Sequence, residues 1–75
     1  MAEMPRPLDA LNRARGKRVI VELKNKALYV GKLNAFDIHI NVVLDEAELR
    51  EEGEVKKKLG TVFIRGDTIV SIAVE

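Results

Sequence analysis

The hydrophobic pattern of the chain changes its period once, near Gly16. Before that point Leu8, Leu11 and Arg15 fall along one face at helical spacing. Residues 5–16 therefore predict a short helix, centred on about residues 7–15. Pro5 and Pro7 suit a first turn, where a missing N–H costs nothing, and Gly16 suits the stop. Arg13 and Arg15 complement the negative end of the helix. A helix this short is marginal alone and must dock on something.

After Gly16 the period is two. Val19, Val21 and Leu23 alternate with Arg18, Ile20, Glu22 and Lys24, which predicts a half-buried strand over 18–24. Asn25-Lys26 reads as a turn and 27–33 as a second strand, interrupted by Gly31. A glycine there marks a bulge, a sharp bend or a close backbone approach. In 36–44, Phe36, Ile38, Ile40, Val42 and Leu44 share one parity, while Asp37, His39, Asn41 and Val43 share the other. The alternation predicts a continuous third strand. Residues 45–58 are charged, acids first and Lys56-Lys57-Lys58 last, with Gly53 as turn signal. They read as a solvated hairpin tip. Residues 59–65 and 68–74 are the last two strands, with Ser71 expected to be buried. Gly66-Asp67 joins them as a two-residue connection in which glycine supplies a positive φ.

One helix followed by five short strands predicts a mostly β domain spanning 1–75. Five twisted antiparallel strands with a glycine-assisted bend can roll into a small, partly open barrel. Such a barrel keeps unpaired edges, which must be blunted, covered or paired. The last strand is apolar and carries no charge until Glu75, so edge-to-edge pairing between copies is expected.

Composition sharpens that expectation. The chain has 75 residues, no cysteine and one histidine. Disulfides are excluded and structural zinc is not expected, which leaves self-association as the common support for so small a core. A hydrophobic content of 47% with 33% charged residues fits a folded domain, not a disordered one. No apolar run nears the roughly 20 residues of a membrane helix. Met1 to Pro5 lacks a basic segment followed by an apolar run, so no secretory signal is read there and a cytoplasmic location is expected. The net charge of +1 excludes a broad basic surface, so any nucleic-acid site must be local and geometric.

Two stretches carry candidate chemistry, 36–41 and 64–67. His39 alone would be incidental. It has no second histidine or cysteine for a metal and no nucleophile beside it for catalysis, so no enzyme, metal or cofactor is expected. Arg65-Gly66-Asp67 alone would be a hairpin turn with flanking charges. Together they hold two flat groups that stack on a nucleobase, imidazole and guanidinium, and an amide, Asn41, that can read a base edge. Asp37 or Asp67 could orient the neighbouring amides and Arg65.

At the level of motifs the sequence resembles the Sm/Lsm family, and most its archaeal Sm-like proteins. The first motif is carried by Gly31, Asp37, Asn41 and Leu44 within 31–44, the second by Leu59-Gly60 and Ile64-Arg65-Gly66-Asp67 followed by Ile69 and Ile72. Thr68 stands where the family often has asparagine. The first motif spans about 18–45, the variable charged hairpin about 46–58 and the second motif about 59–74. The resemblance implies a short N-terminal helix on a strongly bent five-stranded antiparallel open barrel, with 37–41 as a loop instead of a strand. It also implies a ring, usually of seven copies, in which the fourth strand pairs with the fifth of the next subunit. In each subunit a uracil would stack between His39 and Arg65 and meet Asn41 at its edge. Asp67 would brace Asn41, and the Gly66 backbone would lie close to the base. A second contact near the helix has Arg6, Asn12 and Tyr29 as candidates, which a docked helix with a packed tyrosine explains equally well. The implied role is binding of single-stranded, uridine-rich RNA as scaffold or chaperone in RNA processing. The competing expectation is a small barrel that serves only protein assembly.

Overall fold

The structure is a computed structural model that describes residues 6–75. Pro5 and the segment read for a signal lie outside the described residues. The helix α1 covers Pro7–Arg13 and is followed by five strands: β1 Arg18–Leu23, β2 Leu28–Phe36, β3 Val42–Glu51, β4 Glu54–Ile64 and β5 Ile69–Val74. They form one antiparallel sheet in the order β4-β3-β2-β1-β5. β4 and β5 are its two edges.

α1 ends at Ala14, and the chain reverses through Gly16, whose φ is +82° and whose N–H donates to the Leu33 carbonyl at 2.8 Å. The residue that docks the helix is Ala14, which is buried, together with half-buried Leu11. Arg15, assigned to that face by spacing, is exposed. Val19 and Val21 of β1 are fully buried, as alternation requires. They join Leu33, Val42, Leu44, Ala47 and Ile64 in the core.

Gly31 creates the bend. A Cβ there would lie 2.8 Å from the Asp45 carbonyl oxygen and 3.1 Å from the Ala47 Cα, both backbone atoms of β3. The strand pairing shifts register between Val30 and Lys32 at the same place. A missing side chain lets β3 fold across β2, which curls the sheet.

Three expectations are corrected. The third strand is not continuous over 36–44: β2 runs to Phe36, a turn follows, and β3 starts at Val42. The alternation was misleading because Ile38 is exposed and Ile40 takes a left-handed φ of 61°, so neither follows a pleat. The charged segment 45–58 is the exposed hairpin expected, but the strands do not stop at its borders. β3 and β4 continue through it to a tight turn at Glu52-Gly53, where both residues have positive φ. Cross-strand pairing there outweighs the polar composition. Ser71 is exposed, with its hydroxyl 3.4 Å from a Glu22 carboxylate oxygen. Among the described residues, no helix is long and apolar enough to cross a membrane.

Candidate functional site

The two stretches singled out in the sequence meet at one end of the sheet. Residues 37–41 connect β2 to β3, and 65–68 connect β4 to β5. Asp37 builds the first turn. Its Oδ1 accepts the His39 N–H at 2.9 Å and the Asn41 N–H at 3.1 Å. The turn is closed by backbone bonds from Asp37 N–H to the Asn41 carbonyl (3.1 Å) and from Ile40 N–H to the Asp37 carbonyl (3.0 Å). An aspartate at a turn's first position does this because its short carboxylate reaches the N–H groups that follow.

The second connection is a 3₁₀ turn, Gly66–Thr68. Thr68 holds it, since its N–H and its hydroxyl both donate to the Arg65 carbonyl, at 3.1 and 2.7 Å. Gly66 is not left-handed, which corrects the expectation of a positive φ. Its glycine is demanded by proximity. A Cβ would run into the His39 carbonyl oxygen and lie 2.7 Å from the Ile40 carbonyl carbon.

Asn41 ties the two turns together. Its Oδ1 accepts the Gly66 N–H at 2.7 Å, and its Nδ2 donates to Asp37 Oδ2 at 3.1 Å. A backbone donor on one side and a carboxylate on the other fix which end of the amide is oxygen. One amide N–H and one oxygen lone pair remain for a ligand. Asp67 does not brace Asn41. Its Oδ2 accepts from the Arg65 guanidinium at 2.9 Å, while Asp37 braces Asn41. Each carboxylate takes a partner from its own turn, Asp37 the Asn41 amide and Asp67 the Arg65 guanidinium, because these lie nearest in the chain.

His39 and Arg65 are both exposed. Asp37, Asn41 and Arg65 line one open groove of about 520 Å³ whose apolar wall includes Phe36, Val43 and Phe63. His39 and Gly66 line a different groove, between α1 and β5. The six residues are thus gathered at one end, with His39 lining a different groove from Asn41. Near the helix, Arg6 pairs with Asp9 and Tyr29 packs against the core, so a docked helix accounts for both. Asn12 is exposed. Thr68 and the close approach at Gly66 were not read from sequence as structural. Glycine beside a polar turn is the signal for the latter. Among the described residues no group of His, Asp and Glu could hold a metal ion.

Asp37 is held below its ordinary value of 3.8. The Asn41 side-chain bond is the main cause, opposed by slight desolvation and aided by the His39 and Asn41 backbone N–H groups and the nearby imidazole. Because the folded value is depressed, this stabilisation is complete above the ordinary value and is lost as pH falls through the folded one. Amide protection at His39 and Asn41, relative to the intrinsic exchange rate at each pH, should therefore fall together on acidification below the ordinary carboxylate range. In Asp37→Asn it should show no such step. Protection in the parent chain no more sensitive to acid than in Asp37→Asn would contradict this account.

The LSM domain family model matches residues 9–74. The chain is 51% identical to an snRNP Sm-like protein of Thermococcus sibiricus over 97% of its own length and 93% of the relative's. It is 51% identical to one from Archaeoglobus fulgidus, covering 92% and 90%. The chain belongs to the LSM domain family. Two solved structures agree with the LSM assignment. An Sm protein of Pyrococcus abyssii in complex with a uridine heptamer superposes with a TM-score of 0.92 at 44% identity, covering 95% of this chain and all of that one. A heptameric archaeal Sm protein gives 0.83 at 35% identity, covering 88% and 96%. The LSM fold explains why the two turns converge. The antiparallel order brings the β2–β3 and β4–β5 connections to the same end of the sheet.

Proposed function

We propose that this LSM domain assembles into a ring that binds single-stranded, uridine-rich RNA, as a scaffold or chaperone in RNA processing and not as an enzyme. One observation carries the reading. Asn41 is locked between Asp37 and Gly66 with one donor and one acceptor left over. Uracil presents a ring N–H next to a carbonyl, which is the complementary pair. Arg65, held to Asp67, supplies one flat cation for stacking. His39 supplies the second face, its side chain being exposed beside the turn. The relative solved with a uridine heptamer supports this base preference, and the heptameric relative supports the ring. Repetition matters here because the net charge of +1 gives a single copy little general attraction for RNA.

Native mass spectrometry with oligo-uridine and with oligo-adenine tests both halves at once. A ring that takes up oligo-uridine preferentially is expected. Arg65→Ala should keep the ring and weaken oligo-uridine binding by about 1–3 kcal/mol through lost stacking. A ring indifferent to both oligomers would favour the protein-assembly reading instead.

A further inference from the structure

We infer that Thr68 is a specificity-determining residue of the base site. It acts through the peptide between Arg65 and Gly66, which it holds against Asn41, and it thereby favours uracil over cytosine. The inference rests on the RNA reading above and adds to it which residue fixes the amide that the base meets.

One peptide unit is held from both sides. Its carbonyl, that of Arg65, accepts the Thr68 hydroxyl at 2.7 Å and the Thr68 N–H at 3.1 Å. Its N–H, that of Gly66, donates to Asn41 Oδ1 at 2.7 Å. The peptide is trans and planar, so the two groups point in opposite directions and cannot turn separately. Whatever fixes the carbonyl fixes the N–H. Thr68 is itself tied down, since its own carbonyl accepts the Lys24 N–H at 2.8 Å, just past the end of β1.

The hydroxyl is the stronger part of this hold. The backbone bond alone closes a three-residue 3₁₀ turn, a type whose hydrogen-bond geometry is poor. A carbonyl oxygen has two lone pairs, and the hydroxyl fills the one that the N–H leaves. A carbonyl that accepts twice has little freedom to swing. Its polarisation also makes the Gly66 N–H a better donor to Asn41. Valine at this position would have nearly the same shape and keep only the N–H bond.

The consequence for a base lies at Asn41. The Gly66 N–H holds the amide oxygen and Asp37 Oδ2 holds the nitrogen at 3.1 Å, so each stays in its place. Uracil carries an N–H and a carbonyl where cytosine carries a bare nitrogen and an amino group. An amide held at both ends suits the first set only. An amide held by Asp37 alone swivels about that bond, with both oxygen lone pairs free, and serves either base. Fixed polar groups discriminate strongly because the wrong partner leaves them unpaired. Thr68 lines neither groove at the turns, so it acts through Asn41 and not by touching a base.

Oligo-uridine and oligo-cytidine of equal length, titrated into the assembled protein, read the preference. Thr68→Val should weaken oligo-uridine binding by about threefold to tenfold per site and lower the uridine-to-cytidine affinity ratio by about threefold or more. Native mass spectrometry should show the parental assembly throughout. Thr68→Ser retains the hydroxyl and should restore both affinity and ratio. In an Asn41→Ala background, Thr68→Val should leave the ratio where Asn41→Ala alone puts it. If Thr68→Val fails to fold by circular dichroism, Thr68→Ala also lacks the hydroxyl and takes the same test. A hydroxyl-free variant with the parental ratio would overturn the inference, as would a fall in ratio that persists without Asn41. A parent assembly that binds neither oligomer, or both alike, sinks the RNA reading and this role with it. A parent that prefers uridine, matched by a variant that prefers it equally, sinks the role of Thr68 alone.

Discussion

Gly66→Ala is expected to cost about 1–3 kcal/mol of stability and to abolish tight oligo-uridine binding. The added methyl meets backbone, namely the His39 carbonyl oxygen and the Ile40 carbonyl group, and not the end of a side chain that could turn away. Those backbone atoms cannot retreat easily, because Asp37 pins the turn through two N–H bonds and a side-chain bond to Asn41. Relief must come from parting the two turns, which breaks the 2.7 Å bond from Gly66 N–H to Asn41. For a domain of this size each kcal/mol corresponds to a shift of roughly 4–8 °C in the unfolding midpoint. Thermal unfolding by circular dichroism and an oligo-uridine titration on the same sample check both effects. An alanine variant with an unchanged midpoint and full affinity would show that the approach of the turns is looser than described.

Asn41→Ala should separate the same two quantities. The side chain is exposed, and the groups it leaves can reach water, so the loss of stability should stay below about 1 kcal/mol. Affinity should fall by about 1–3 kcal/mol per site, because the donor–acceptor pair offered to the base disappears and the Gly66 N–H is released. Asn41→Asp sharpens the reading. It retains an acceptor for Gly66 but places a second carboxylate against Asp37, where the amide now donates at 3.1 Å. It should lose oligo-uridine binding as fully as alanine does and recover part of it as the pH falls into the carboxylate range. Calorimetric titration at two pH values reads this. Full affinity of both variants with the assembly intact would remove Asn41 from the site.

The two substitutions act at one junction and differ in mechanism. Gly66 sets how near the turns come, and Asn41 spans the gap. A change that keeps the gap but removes the span costs recognition, while a change that widens the gap costs both.

How far the sequence could be read differs from residue to residue. Val19 and Val21 were legible as core because alternation over a half-buried strand leaves little choice. Gly31 was legible as a bend because a lone glycine in a strand has few other uses. Residues 37–41 were not legible from alternation. Their apolar and polar positions mimic a pleat, and only the family resemblance placed a loop there. The structure supports the loop through the Asp37 bonds and the left-handed Ile40. The length of β3 and β4 was hidden for the opposite reason. Charged residues suggested a tip, but strand pairing from Arg50 to Val55 and from Glu51 to Glu54 needs only backbone partners.

By itself, then, the sequence determined the element types, the antiparallel β class, the two motif segments and the six candidate site residues. The elements and the β class depend on local periodicity and most of the site candidates on residue chemistry, while the motif segments and Gly66 were implied by the family resemblance. The partners at the site were decided only by tertiary structure. Asp37 and not Asp67 holds Asn41, Gly66 is glycine for want of space and not for its φ, and His39 lines a different groove from Asn41. Each of these depends on how close two turns 25 residues apart come to lie. That distance is set by the strand order and by how far the sheet curls, and a glycine at position 31 signals the curl without recording its extent.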